Sequence, residues 1–429
     1  MKLVSTRTPG LRASFVEAAL AHAAPDGGLW VPEALPRWND VDALLAMPFA
    51  DRNVALLERL VGDEFAPGVL APLVRGAFDF PAVVRPADGT HDVLELFHGP
   101  TLAFKDFGAR FLAAVVRARS SRDRLVLTAT SGDTGAAVAA AFHGMPGVRV
   151  AVLYPRGRVS PLQERQLACL GGNVAAYAVD GSFDDCQALA KRCFADAALS
   201  EELGLTSANS INIARLLGQV VYYFEAAARL RERHADAPLA VAVPSGNFGN
   251  LCAGLYARAL GLPVARFVAA TNANRTVPEH LDTGVYTPRA SVATHSNAMD
   301  VGAPSNWERV RHLFGDDLEA LRSALRWGAV DDAGTERALR ELLAAGYASE
   351  PHAAVAWDVL RRTIAPGERG VFLATAHPAK FPELLEPLLG RPVPLPPALE
   401  ALLARPLRAH ALANDHAALV EELRNPPAA

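Results

Sequence analysis

The sequence predicts an α/β protein with a mainly parallel sheet, preceded by a mostly helical N-terminal region. Three observations predict it. From about residue 93, short apolar runs alternate with helical patterns, the rhythm that builds a parallel sheet. Two of the junctions between an apolar run and a helix carry glycine turns. The 429 residues are 51% hydrophobic and 21% charged, a composition suited to a large packed core and two or three domains.

The elements follow in order. Residues 14–24 read as a helix opened by a serine cap and closed by the turn Pro25-Asp26-Gly27-Gly28. Helices are expected at 40–62 and 66–77. Strands are expected at 124–130, 148–154, 174–179, 239–243 and 266–270. Between and around them lie helices at 135–143, 161–170, 184–194, 211–230 and 248–260. Helices resume over 307–363, a late strand covers 370–375, and a helix follows near Phe381. The proline-rich stretch 391–397 reads as a linker to a C-terminal helical tail. No repeat or low-complexity tract interrupts the chain.

The formal net charge of −4 gives no reason to expect a nucleic-acid or membrane partner. Cys169, Cys186, Cys193 and Cys252 have neither CxxC nor metal-ligand spacing, so no metal is expected and the thiols read as free in a reducing compartment. The N-terminus lacks an apolar signal core, and no run reaches the ~20 apolar residues of a membrane span. A cytoplasmic location is the expectation.

The segment LFHGPTLAFKDFGAR at 96–110 holds one lysine, Lys105, among phenylalanines and at the start of a helical pattern. A cation is poorly placed at the positive end of a helix dipole, and aromatic neighbours strip its solvent. A neutral amine is a nucleophile that forms a Schiff base with an aldehyde. A snorkelling surface lysine is the alternative. The glycine turns run from Thr130 through Ser131, Gly132, Asp133 and Thr134 to Gly135, and from Ser245 through Gly246, Asn247, Phe248 and Gly249 to Asn250. Such turns aim backbone N–H groups at an anion. The second has no carboxylate and adds neutral donors, so it is expected to hold a cofactor phosphate. The first, with Asp133, is left for a substrate anion or a ring oxygen, and ordinary connecting turns are the alternative. Neither has a P-loop lysine or a dinucleotide fingerprint. Thr375 closes the late strand, where its hydroxyl can meet a heteroaromatic nitrogen, and His377 reads as packed or capping. Arg156, Arg158 and Ser160 precede a helix and suit phosphate, or form a solvated loop.

Together these segments resemble the threonine synthases, in the tryptophan-synthase-like group (fold type II) of pyridoxal-phosphate enzymes. The resemblance rests on HGPTLAFKDFG at 98–108, ATSGDTGAA at 129–137, YPRGRVSPLQ at 154–163, SANSINIARLLGQVVYYFE at 207–225, PSGNFGN at 244–250, SNAMDV at 296–301, SEPHAAVA at 349–356 and TAHPAKF at 375–381, with DGGLWVP at 26–32. It implies a two-domain fold: 1–92 a mostly helical N-terminal region, 93–126 with 206–390 a larger α/β domain, 127–205 a smaller one, and 391–429 a helical tail. Pyridoxal 5′-phosphate is the implied cofactor. Lys105 is implied to carry it, 245–250 to hold its phosphate, and Thr375 to partner its ring nitrogen. A hydroxyl there, in place of a carboxylate, implies a nitrogen left largely unprotonated. Thr130, Ser131, Asp133 and Thr134 are implied to face the substrate. Asp133 departs from the asparagine common in this loop across the wider fold group. A carboxylate beside the ring's anionic oxygen must be protonated, turned away or bridged by water.

The implied substrate is O-phospho-L-homoserine, converted with water to L-threonine and phosphate by a monomer or homodimer. Ser160, Arg158, Arg156 and Lys380 are the candidates for its phosphate. A serine/threonine dehydratase, which needs no such phosphate site, and a non-catalytic relative are the alternatives.

Overall fold

The computed structural model describes residues 1–234 and 237–426. Residues 235 and 236 of the expected larger domain, and 427–429 of the expected tail, lie outside the described residues. Two parallel sheets organise the chain. The larger has six strands in the spatial order Leu325–Ala329, Arg266–Thr271, Leu239–Pro244, Arg369–Ala374, His91–Glu95 and Val83–Pro86. All neighbours run parallel except the last pair. The second has five parallel strands in the order Ala409–Leu412, Val174–Val179, Val148–Pro155, Arg124–Ala129 and Leu205–Ser207. Helices cover the central strands, so Leu239–Pro244 is buried at every position. Burial on both faces is why such strands read as continuous apolar runs, without alternation.

The N-terminal region joins four helices, Phe15–Leu20, Val41–Ala46, Phe49–Val61 and Leu70–Ala77, to a small antiparallel sheet of Arg12–Ser14, Lys2–Ser5 and Trp30–Pro32. Ser14 caps the first helix: its hydroxyl accepts from Glu17 N, and Glu17 accepts from Ser14 N. That helix stops at Leu20 because Ala21 takes extended backbone.

The class and the parallel pairing are as expected, but eight of the strands were hidden: the three of the N-terminal sheet, Val83–Pro86 and His91–Glu95, and three more. Leu325–Ala329 interrupts the helical stretch expected over 307–363. Ala409–Leu412 lies in the tail expected to be helical and pairs with Val174–Val179. Leu205–Ser207 extends the smaller sheet. These last three are short edge strands whose pairing comes from distant chain. The expected divisions at 92/93, 126/127 and 205/206 fall inside His91–Glu95, Arg124–Ala129 and Leu205–Ser207.

The helices Lys105–Arg119 and Ile213–Arg233 cross at close range between the sheets. A Cβ on Gly108 would lie 2.6 Å from Arg215 O, and one on Gly218 would lie 3.0 Å from Phe107 O. This crossing brings Lys105 and Arg215 to one cavity.

Candidate active site

Lys105 is the first residue of its helix. The loop before it is set by Asp106, which accepts from Thr101 N at 2.9 Å and from Thr101 Oγ1 at 2.7 Å. Burial raises the Asp106 carboxyl to about 6. Leu102 takes a left-handed backbone, φ +57°, a strain typical of positions held by their surroundings. Phe104 N donates to Thr375 O at 2.9 Å, and His377 N to Leu102 O at 3.0 Å. These bonds tie the Lys105 loop to the end of the strand Arg369–Ala374. Lys105 Nζ lies 5.7 Å from the centre of the Phe104 ring. Desolvation pushes the amine down to about 8, helped by Arg215 and Lys380 and opposed by Asp133.

The 245–250 turn joins the strand Leu239–Pro244 to the helix Gly249–Ala259. A Cβ on Gly246 would lie 2.7 Å from Met299 Cα, so only glycine allows this approach. Phe248 is left-handed, φ +59°. Asn247 donates to Ser210 Oγ at 2.6 Å and accepts from Ser305 N at 2.5 Å. Asn250 Oδ1 lies 2.6 Å from the hydroxyls of both Tyr222 and Tyr223, while its Nδ2 is buried without a partner. A glycine cradle at a helix N-terminus with a spare buried donor suits a phosphate.

Thr375 is 6% exposed and lines the same cavity. Its N and Oγ1 both donate to Glu350 Oε1 at 3.1 Å. His377 is a capping residue, as expected: its Nδ1 accepts from Ala379 N at 3.1 Å. Burial, with His98 and Lys380 nearby, drives this imidazole down to about 4.

In the first turn, Ser131 and Thr134 face the cavity. Thr130 does not line it. Its hydroxyl serves the loop, accepting from Gly132 N at 2.9 Å and Gly135 N at 2.8 Å. Asp133 sits behind the wall, accepting from Lys380 Nζ at 2.9 Å and Gln163 Nε2 at 3.1 Å. This pairing answers the charge problem at Asp133. Burial works to raise the carboxyl, but Lys380 and then Lys105 hold it far below the usual range. Lys380 is therefore a buried counter-ion, at 0% exposure, and not a free phosphate receptor. Ser245 is likewise behind the wall, its hydroxyl donating to Val243 O at 2.8 Å.

Arg158 and Ser160 are off the cavity. Ser160 caps the helix Pro161–Ala168 in a capping box with Gln163, and Arg158 is exposed. Arg156 pairs with Asp180 at 3.1 Å. Besides Lys105, the lysine and arginine side chains that line the cavity are Arg215 and Lys191. Arg215 is 1% exposed. Its Nη1 donates to Ala208 O at 2.6 Å, its Nε has no partner, and no carboxylate pairs with it among the described residues. Burial alone lowers it to about 10. The lysines of the chain are Lys2, Lys105, Lys191 and Lys380; all but Lys2 are at this site. Arg215 escaped the sequence reading, though a lone charge inside the apolar run Ile213–Leu217 was the available signal. Glu350 and His352, also at the site, fell inside the helical stretch expected over 307–363 and in the SEPHAAVA segment of the resemblance, with no role assigned.

The family described as pyridoxal-phosphate dependent enzyme matches residues 93–376. Families described as threonine synthase N terminus and threonine synthase, C-terminal match residues 2–78 and 353–423. Threonine synthase of Escherichia coli K12 is 50% identical over 428 residues, covering 99% of this chain and 100% of that protein. The crystal structure of threonine synthase from Escherichia coli superimposes with a TM-score of 0.95 at 49% identity, covering 100% of both chains. A pyridoxal-phosphate-bound threonine synthase from Brucella melitensis gives 0.91 at 36% identity, covering 99% of each.

Proposed function

Because this chain belongs to the threonine synthases, a family of pyridoxal-phosphate-dependent enzymes, we propose that it acts on O-phospho-L-homoserine. With water it yields L-threonine and phosphate by γ-elimination and β-addition, the last step of threonine biosynthesis. The observation that carries the phosphorylated substrate is Arg215, a buried guanidinium with no carboxylate, facing the cavity that holds Lys105. A buried charge without a partner costs several kcal/mol, and an anionic ligand removes that cost.

The residues present fit the cofactor. Lys105 would hold it covalently, the 245–250 turn with Asn250 Nδ2 its phosphate, and Thr375 its ring nitrogen. When bound, pyridoxal phosphate supplies the electron sink. The rest falls to side chains. Lys105 Nζ, released when the substrate amine binds, is a base matched to neutral pH, since desolvation has pushed it to about 8. It takes one proton from the α-carbon and one from the β-carbon, returns one to the γ-carbon as phosphate leaves, and returns the other to the α-carbon after water has added its hydroxyl at the β-carbon and given its remaining proton to phosphate. Ser131 and Thr134 offer hydroxyls to the substrate carboxylate. Arg215 holds the leaving phosphate from within the wall, with Lys191 at the mouth.

We also place the larger domain on the six-stranded sheet and the smaller on the five-stranded one, with the cavity between them. No helix among the described residues is long and apolar enough to cross a membrane. The cysteines are buried and free, which supports a reducing, cytoplasmic setting; we take the assembly to be a monomer or homodimer. The deciding experiment is incubation of the cofactor-loaded protein with O-phosphohomoserine, measuring threonine and inorganic phosphate together. Equal amounts of both are expected. Release of a keto acid with ammonia in place of threonine would make the protein a dehydratase instead.

A further inference from the structure

We infer that Glu350 fixes Thr375 as a hydrogen-bond acceptor toward the cofactor, and so keeps the cofactor's ring nitrogen protonated. The inference rests on the reading above that Thr375 faces that nitrogen.

Glu350 is fully buried and caps the helix Pro351–Thr363. Its Oε1 accepts from Ala353 N, Thr375 N and Thr375 Oγ1, each at 3.1 Å. Its Oε2 accepts from His352 N at 2.7 Å and lies 2.5 Å from His352 Nδ1. His352 Nε2 accepts from Ala298 N at 3.2 Å, so in the neutral ring the one proton sits on Nδ1 and points at Glu350. Three backbone N–H groups and this ring N–H are donors that cannot reverse. Both carboxyl oxygens are thus held as acceptors by fixed donors.

The Oε1 that meets the Thr375 hydroxyl already accepts from two backbone N–H groups, so Thr375 is the donor in its contact with Glu350. A threonine hydroxyl carries one proton, and here that proton is already used. What Thr375 presents to the cavity is lone pairs. An unprotonated ring nitrogen would meet them with a lone pair of its own, whereas an N–H would donate to them. Taken alone, a hydroxyl in this place implies the neutral nitrogen. The carboxylate behind it reverses the polarity, and acts on the cofactor without touching it. Glu350 is thus a positioning residue. A protonated ring nitrogen draws electron density more strongly, which suits a reaction that removes two protons from one substrate.

The test is 15N NMR of the holoenzyme loaded with pyridoxal 5′-phosphate labelled at the ring nitrogen. The wild-type resonance is expected in the pyridinium range. Glu350→Ala frees the hydroxyl proton, and the resonance should move to the free-pyridine range. Thr375→Ser should keep the wild-type position and Thr375→Val should lose it. Borohydride trapping on Lys105 and far-UV circular dichroism report that each variant is folded and loaded. A wild-type resonance in the free-pyridine range overturns the inference, whether or not Glu350→Ala folds. So does a pyridinium signal that survives in a folded Glu350→Ala. A Thr375→Val variant with an unmoved resonance instead overturns the placing of Thr375 at the nitrogen, and leaves the lysine and phosphate-turn readings standing.

Discussion

Lys105 owes its chemistry to position more than to identity. At the start of a helix, beside Phe104 and deep in the cavity wall, its charged form is disfavoured by lost solvent. In the cofactor-free protein, acylation by a trace amine reagent followed by peptide mapping should show Lys105 half-reactive near pH 8. An ordinary lysine does so near 10.5. A midpoint for Lys105 above pH 10 would refute the desolvation argument. The linked stability has a definite sign. Between those two values the unfolded chain binds the extra proton, so the cofactor-free fold gains stability as pH rises through this window. Lys105→Ala should abolish both turnover and the visible absorption of the lysine-bound cofactor, and normal turnover would remove Lys105 from the mechanism. This residue was legible because a single lysine set among phenylalanines is chemically conspicuous. Arg215 and Glu350 were not, since each also has an ordinary local role. Arg215 sits in a helical run, and Glu350 is an N-cap whose second partner, Thr375, is 25 positions away.

At the scale of elements, the site depends on two helices approaching more closely than side chains permit. Gly108 lies against the backbone of Arg215, and Gly218 against that of Phe107. Gly108→Ala sets two effects against each other. Helix propensity favours alanine by about 1 kcal/mol. The new Cβ, however, would stand 2.6 Å from a backbone oxygen, where no side-chain rotation relieves the clash. Overpacking costs roughly 1–3 kcal/mol, so a net loss is expected in urea unfolding, with weaker cofactor uptake as Lys105 and Arg215 are driven apart. A stabilised variant would show that the helices separate freely. The strands and helices around this crossing were readable because burial on both faces leaves unbroken apolar runs. Leu325–Ala329 and Ala409–Leu412 were not readable. Five- and four-residue edge strands carry too few positions for a periodic pattern, and the second pairs with Val174–Val179, more than 200 positions away in the chain.

Across the whole molecule, the Asp133–Lys380 pair links the smaller sheet's first helix to the segment that ends the larger sheet's central strand. The two are 247 positions apart, so their sequence contexts showed only a troublesome carboxylate in one place and a spare cation in another. Each explains the other. Lys380 makes a carboxylate tolerable behind the cavity, and Asp133 makes a lysine tolerable at 0% exposure. Breaking one side of such a pair leaves an uncompensated buried charge, which costs about 3–5 kcal/mol. Asp133→Asn should therefore lower unfolding free energy by that order in urea titration, although asparagine fills the same space and can still accept from Gln163. The pH dependence follows from the depressed carboxyl. Its contribution is complete above the unfolded value of 3.8 and is lost as pH falls toward the lower folded one. The variant should lack this acid-side loss. Adding Lys380→Met to Asp133→Asn removes the stranded cation and should recover most of the lost stability. If Asp133→Asn alone changed stability by less than about 0.5 kcal/mol, the usual range for an exposed site, the pair would not be what holds the two sheets in register around the cavity.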